Sequence, residues 1–295
     1  MKLKKFAKVL LSCVLAGALF TGCGNTAQQG ADKPGNNFSG KDVQLGMLTK
    51  LNTNEEKMSA FYDELVKKAG MQLERHTVPK FYENLRTMQI ALEAGEIQEV
   101  SVYKCVADFI IVTNDKFEVV NNNSLEMLRD SFCFAVRKDD TQLKADLDRV
   151  IAEMKADGSL DRLIDEYITK VSKGEVVPPP AVDIPKIDGA PTIKVGITGD
   201  LPPLDLVLPD NTPAGFNTAL LAEIAKRLGR NIEIVQVETG SRAIALTSKL
   251  IDVVFWAVIP ISGTIPGDID KPEGLELSTP YFEDSVAHIK LKAEK

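Results

Sequence analysis

The stretch SKGEVVPPPAVDIPKIDGAP, from Ser172 to Pro191, does most to limit what this chain can fold into. Its prolines favour extended, polyproline-like backbone and cannot continue a helix or donate to a central strand. It therefore divides the chain into two parts that must each find their own secondary structure. On both sides strand-length apolar runs alternate with amphipathic helical stretches. That alternation is the grammar of an open sheet with helices on its faces. Before the break come the strand VQLGML, then NTNEEKMSAFYDELVKKAG, where Thr53 and Glu56 stand at capping-box spacing ahead of a helix that Gly70 ends. The strand QLERHTV, the helix YENLRTMQIALEAG, the strand IQEVSVY and a short helix from Cys105 follow. FEVV and FCFAVR read as strands, and helices are expected over 141–156 and 159–171 with Gly158 between them. After the break the pattern repeats: TIKVGIT, LDLVL, the helix FNTALLAEIAKRLG, IEIVQV, the helix SRAIALTSKL, DVVFWAV and a last strand SVAHIKLK.

The first 22 residues carry four lysines, an apolar run from Val9 to Phe20 and small residues before Cys23. The apolar run is shorter than the roughly 18 residues needed to cross a bilayer, so it reads as an export signal. LFTGC resembles a bacterial lipobox, which implies cleavage before Cys23 and a lipid on its thiol; an uncleaved anchor and plain secretion are the alternatives. Residues 24–42 are rich in Gly, Asn and Gln and lack the apolar content to fold, as in a tether. Without the four signal lysines the formal charge moves from -7 to -11, which argues against nucleic acid or anionic lipid as a partner. Cys105 and Cys133 lie in apolar stretches with no CxxC and no neighbouring histidine. They are either buried free thiols or a disulfide of an exported protein, and redox or metal chemistry is not expected.

IKVGITGDLPPLDLVLPDNTPAGFNTALLAEIAKRLG, LTSKLIDVVFWAV and STPYFEDSVAHIKLK resemble the first lobe of the extracellular solute-binding proteins of ABC importers, the amino-acid-binding family 3. ALEAGEIQEVSVYKCVADFII resembles that family's second lobe, and FAVRKDDTQLKADLDRVIAEMKADGSLDRLIDEYI its C-terminal ending. The resemblance implies an α/β, two-lobed type II periplasmic-binding-protein fold with the lobes in circularly permuted order, because the ending precedes the start. The competing reading is two incomplete copies in tandem. The expected divisions are a lipoprotein signal peptide (1–22), a flexible tether (23–42), the second lobe (43–135) and the C-terminal-type helices packing on the other lobe (136–171). A proline-rich linker (172–192) and the first lobe with an inter-lobe strand (193–295) complete them.

A ligand is expected outside the carboxyl ends of the strands, where loops offer N–H groups and helix N-termini. Candidates in the second half are Thr198, Asp200, Asp205, Phe255 and Trp256; in the first half, Thr49, Asn52, Thr53 and Tyr103. Each also has a plain structural reading: turn chemistry for the two aspartates, strand core for the aromatics, helix capping for Thr53. Tyr103 stands where family members place an aspartate for the ligand's ammonium group, and no arginine follows DVVFWAV in IPISGTIPGDIDKPEG. Arg242, in ETGSRAIAL, either reaches the cleft or sits at a solvent-facing helix start, the second being the favoured reading.

His76 and His288 have no partner at metal-ligand spacing, and no GxSxG or Walker sequence occurs. The expectation is thus not an enzyme and not a metalloprotein, with no cofactor. It is a monomeric, lipid-anchored receptor on the outer face of the membrane, passing a small polar solute, an amino acid or a derivative, to an ABC importer permease. A sensory ligand-binding module for a membrane signalling protein and an exported enzyme on this fold are the alternatives.

Overall fold

The computed structural model describes residues 42–52, 60, 77–121, 128–261 and 267–293. The expected signal, the expected tether up to Lys41 including Cys23, Thr53, His76 and most of the first expected helix lie outside the described residues.

The first half holds β1 (Val43–Leu48), β2 (Thr77–Tyr82), α1 (Leu85–Glu93), β3 (Glu99–Tyr103), α2 (Lys104–Thr113) and β4 (Phe117–Val119). Strands β2, β1 and β3 run parallel in that order. β2 extends through Tyr82, four residues beyond the expected strand, because the α1 cap lies later than the apolar pattern suggests. Asn84 accepts from the Thr87 N–H at 2.9 Å, so the helix begins at Leu85. Pro79 fits β2 because, among the described residues, this strand pairs with β1 alone.

The second half begins with β5 (Arg129–Arg137), followed by α3 (Thr141–Ala156) and α4 (Ser159–Ile164), which continues through a π-type turn to Ser172. Beyond the proline-rich strap come β6 (Thr192–Ile197), β7 (Asp200–Leu201), β8 (Asp205–Val207), β9 (Pro213–Ala214) and α5 (Phe216–Leu228). The chain ends with β10 (Asn231–Gln236), α6 (Arg242–Thr247), β11 (Val253–Pro260), β12 (Leu275–Leu277) and β13 (Phe282–Leu291).

One curled, mixed sheet runs through both halves in the order β10-β6-β11-β5-β13-β3-β1-β2. β13 is the strand common to both: Phe282–Ser285 pair antiparallel with β5, and Val286–Ile289 pair antiparallel with β3. The largest core cluster spans the same junction, including Val100, Val106, Phe132, Phe134, Phe216, Phe255 and Tyr281.

The helices expected over 141–171 pack on α5. Arg227 on α5 reaches Asp157 at 2.8 Å and the Ser159 hydroxyl at 2.9 Å. The Lys155 ammonium donates to the Pro280 carbonyl at 2.6 Å, and the Thr279 N–H to Asp148 at 2.6 Å. Gly158, at φ +74°, makes the sharp turn between α3 and α4 that a side chain would strain. Cys105 and Cys133 are both buried and unbonded, with the Cys133 thiol pushed up to about 12 and that of Cys105 raised, both by burial above all. The thiolate, which is the reactive form, is thereby suppressed in each.

Candidate functional site

The strand ends of the two halves face each other across a cleft, and each half sends polar groups over it. β1 ends in Thr49-Lys50-Leu51-Asn52. The Asn52 backbone N–H donates to Asp270 at 3.0 Å, and its amide donates to the Ile269 carbonyl at 3.0 Å. Lys50 reaches Asp130 of β5 at 3.1 Å, and the Tyr103 hydroxyl at the end of β3 donates to the same Asp130 oxygen at 2.7 Å. Burial, then the neighbouring Asp130, holds the Tyr103 phenol well above its ordinary range, so it stays a neutral donor.

A second set joins the halves near α1. The Thr239 hydroxyl donates to the Glu83 carbonyl at 2.6 Å, and the Gly240 N–H to the Glu83 carboxylate at 2.6 Å. Asp200 accepts from the Leu85 N–H at 2.8 Å. That N–H is the first donor of α1 and has no carbonyl of its own helix to bond. An open groove of about 430 Å³ lies here, lined by Glu83 and Arg86 on one side and Thr198, Asp200, Gln236 and Glu238 on the other.

Arg242 corrects an expectation. The sequence pattern puts it at a solvent-facing helix start, but the structure leaves it only 1 % exposed between the halves. Its guanidinium donates to the carbonyls of Thr239 (3.0 Å), Phe255 (3.0 Å) and Trp256 (3.1 Å), and reaches Thr49 of the other half at 3.5 Å. It also lies over the Trp256 ring, 4.7 Å from the centroid. Burial pulls its pKa down while Asp270 and Asp205 hold it up. The only sequence signal was a cation directly ahead of the apolar run AIAL, which does not distinguish a buried arginine from an exposed one.

Trp256 sits at a bulge, where the pairing of β11 with β5 shifts between Val254 and Ala257. Its φ of +63° is costly for a residue with a large side chain. Arg242, bonded to the carbonyls on both sides of that peptide, holds the conformation. The ring also meets Tyr103 edge-on at 6.3 Å, and its buried indole N–H has no partner among the described residues. Trp256 thus stands at the junction, whereas Phe255 packs in the core against Phe134 at 4.9 Å and Tyr281 at 6.1 Å.

Thr198 and Asp205 are bonded to each other. Asp205, 2 % exposed, accepts from the Thr198 hydroxyl and the Gly199 N–H, both at 2.9 Å, fastening the loop that presents Asp200. Thr49 meets Glu83 at 3.3 Å through its hydroxyl. The junction therefore assembles Thr49, Asn52, Tyr103, Asp200 and Trp256 with Arg242, the less favoured cleft reading for that residue, together with Lys50, Asp130 and Asp270, which the sequence did not single out as ligand groups. Away from the cleft, His288 meets Glu99 at 3.2 Å inside the first half. No group of three or more metal-ligating side chains occurs among the described residues.

Residues 193–261 match the family described as bacterial extracellular solute-binding proteins, family 3. No curated protein matches the chain. Solved structures similar to it include a putative L-cystine ABC transporter from Listeria monocytogenes, at 12 % identity and TM-score 0.39, covering 86 % of this chain and 84 % of that one. The GluR0 ligand-binding core from Nostoc punctiforme, in complex with L-glutamate, is similar at 13 % identity and TM-score 0.37, with 84 % of each chain covered. A ligand-binding component of an ABC-type import system from Staphylococcus aureus matches at 9 % identity and TM-score 0.43, over 85 % of this chain and 66 % of that one. Residues 193–261 are thus similar to the bacterial extracellular solute-binding proteins, family 3, and are carried on a mixed α/β fold whose two halves share one sheet.

Proposed function

We propose that the protein is an exported, lipid-anchored receptor that captures a small polar solute between its halves and delivers it to an ABC importer. The observation that carries this reading is the buried, unpartnered indole N–H of Trp256 where the two halves meet. A buried donor without a partner is costly, and an acceptor on a bound solute removes that cost. Tyr103 supplies a neutral hydroxyl beside it, and Lys50, Asp130 and Asp270 supply charge of both signs. Capture works by closure: solute contacts to both halves favour the closed arrangement and exclude water.

The arrangement also bears on solute class. The strongest grip on an α-amino acid's carboxylate is the planar, bidentate fork of a free arginine. The one arginine buried at the junction already donates to three backbone carbonyls at 3.0–3.1 Å, and Lys50 is committed to Asp130. Common free α-amino acids should therefore bind weakly, and a derivative with less negative charge should bind better.

We read the lobes as circularly permuted, with 43–135 as the second lobe, 136–171 as the family's ending and 193–295 as the first lobe. The packing of α3 and α4 on α5 and the shared strand β13 support that order. We read Cys23, in LFTGC, as the lipid-bearing residue that anchors the protein at the outer face; no helix among the described residues is long and apolar enough to cross a membrane. Titration calorimetry against free amino acids and their amide and N-acyl derivatives tests the reading. Tight, saturable binding that Trp256→Ala and Tyr103→Phe abolish supports it; tight binding that survives both substitutions shows the solute to sit elsewhere.

A further inference from the structure

The contact between Asp200 and α1 differs from the other bridges across the cleft: it places a carboxylate among other carboxylates where the halves meet. On its own side Asp200 has Asp205, buried and already engaged by Thr198 and Gly199. Glu238, beyond the end of β10, lines the same groove, and Glu83 enters it from the opposite half. Against these acids stand the Arg86 side chain at the groove, the first N–H groups of α1 and, behind Asp205, the buried Arg242. Gln236 and Thr198 are neutral. A helix N-terminus carries only about half a positive charge, so a docked, ionised Asp200 is desolvated and surrounded by more negative than positive charge.

We propose that closure of the two halves is coupled to the uptake of one proton by Asp200, which docks on the N-terminus of α1. This rests on the receptor reading and describes how that cleft is regulated. A protonated carboxyl still accepts the Leu85 N–H through its carbonyl oxygen, so the bridge survives protonation while the charge penalty disappears. When the halves separate, Asp200 regains water and its ordinary acidity. In the closed form burial, followed by Asp205, pushes its pKa up to about 6, although the Leu85 and Arg86 N–H groups pull it down.

The direction follows from linkage. The closed form holds the proton more tightly than the open one, so acid favours closure. The effect grows as pH falls through about 6 and levels off near the ordinary carboxylate value of about 3.9. Between pH 7.5 and pH 5 the closed-to-open ratio should rise roughly tenfold.

The test uses the full-length protein without any solute, so it can fail while solute binding succeeds, and the reverse. Hydrogen exchange at the Leu85 amide, corrected for its intrinsic pH dependence, reads closure directly, because that N–H is bonded only when Asp200 docks. Protection should rise about tenfold from pH 7.5 to pH 5 in the native protein and stay flat in Asp200→Asn, with core amides of β6 as the folding control. A flat native profile overturns the proposal, as does a native-like rise in Asp200→Asn. If that variant does not fold, carbon NMR of the native Asp200 carboxyl decides: a midpoint near 6 that coincides with the protection change sustains the coupling, and a midpoint near 4 ends it.

Discussion

Replacing Arg242 by methionine is the most informative single change in this protein. The substitution keeps an unbranched side chain of similar reach but removes every donor and the charge. Three buried carbonyls, of Thr239, Phe255 and Trp256, then lose their partner. Asp270 and Asp205, both buried, lose a cation that offsets their desolvation. Leaving a buried charge uncompensated costs about 3–5 kcal/mol, and losing a desolvated cation over an indole adds on the order of 2 kcal/mol. These losses overlap, and methionine regains some packing on Trp256, so a net destabilisation of about 4 kcal/mol is expected. For a chain of this size that is roughly 10 °C in melting temperature.

Trp256 is the only tryptophan, so its emission reports this site alone. Urea unfolding followed by far-ultraviolet circular dichroism gives the stability, and native-state emission gives the indole's surroundings. Arg242→Met should unfold earlier and emit at longer wavelength, because the bulge at Trp256 has lost what holds it. Arg242→Lys should recover about half the loss, since an ammonium restores charge without a planar fork. Adding Asp270→Asn to Arg242→Met should cost less than the two changes measured separately. A loss below about 1 kcal/mol with unchanged emission would refute the reasoning, and would mean that the guanidinium only fills space.

Asp200→Asn should stabilise the protein at pH 7.5 by on the order of 2 kcal/mol, because the ionised group is disfavoured in the folded state; thermal melts should show that gain shrinking as pH falls through about 6. Asn84→Ala removes the α1 cap and should cost about 1 kcal/mol by urea unfolding. Cys23→Ala should release the protein from the membrane fraction or block its processing; a cleaved variant that stays membrane-bound would exclude the thiol as the anchor. Tyr103→Phe should weaken solute binding while changing stability little, since Asp130 keeps Lys50; calorimetry and a melting curve on the same sample separate the two effects.

The alternation of apolar runs and helices was legible because both periodicities are local, and β1, β3, α2, α5, β6, β10 and β11 fall close to where the pattern sets them. The passage from β2 to α1 was less so: FYENL continues the apolar pattern, and only the bond from the Thr87 N–H to Asn84 decides that the helix starts at Leu85. Thr198, Asp200 and Asp205 could be found as one loop because glycine, prolines and short acids cluster there. What they do there could not, since Asp205 turns back to Thr198 while Asp200 crosses to α1. Arg242 was hidden for a different reason: its burial depends on carbonyls at positions 255 and 256 and on Thr49, almost two hundred residues away. Lys50, Asp130 and Asp270 likewise acquire their roles only when the halves meet, and no local spacing encodes that.

The strand shared by both halves also has a consequence for synthesis. β13 is the last strand among the described residues, and without it β5 lacks one neighbour and β3 loses its antiparallel partner. The emerging polypeptide therefore carries two unfinished sheets until β13 is available. Pairing β3 with β13 closes a loop of more than 180 residues, a non-local step that slows folding. Removing residues from Phe282 onward should accordingly leave neither half folded, rather than one intact and one damaged.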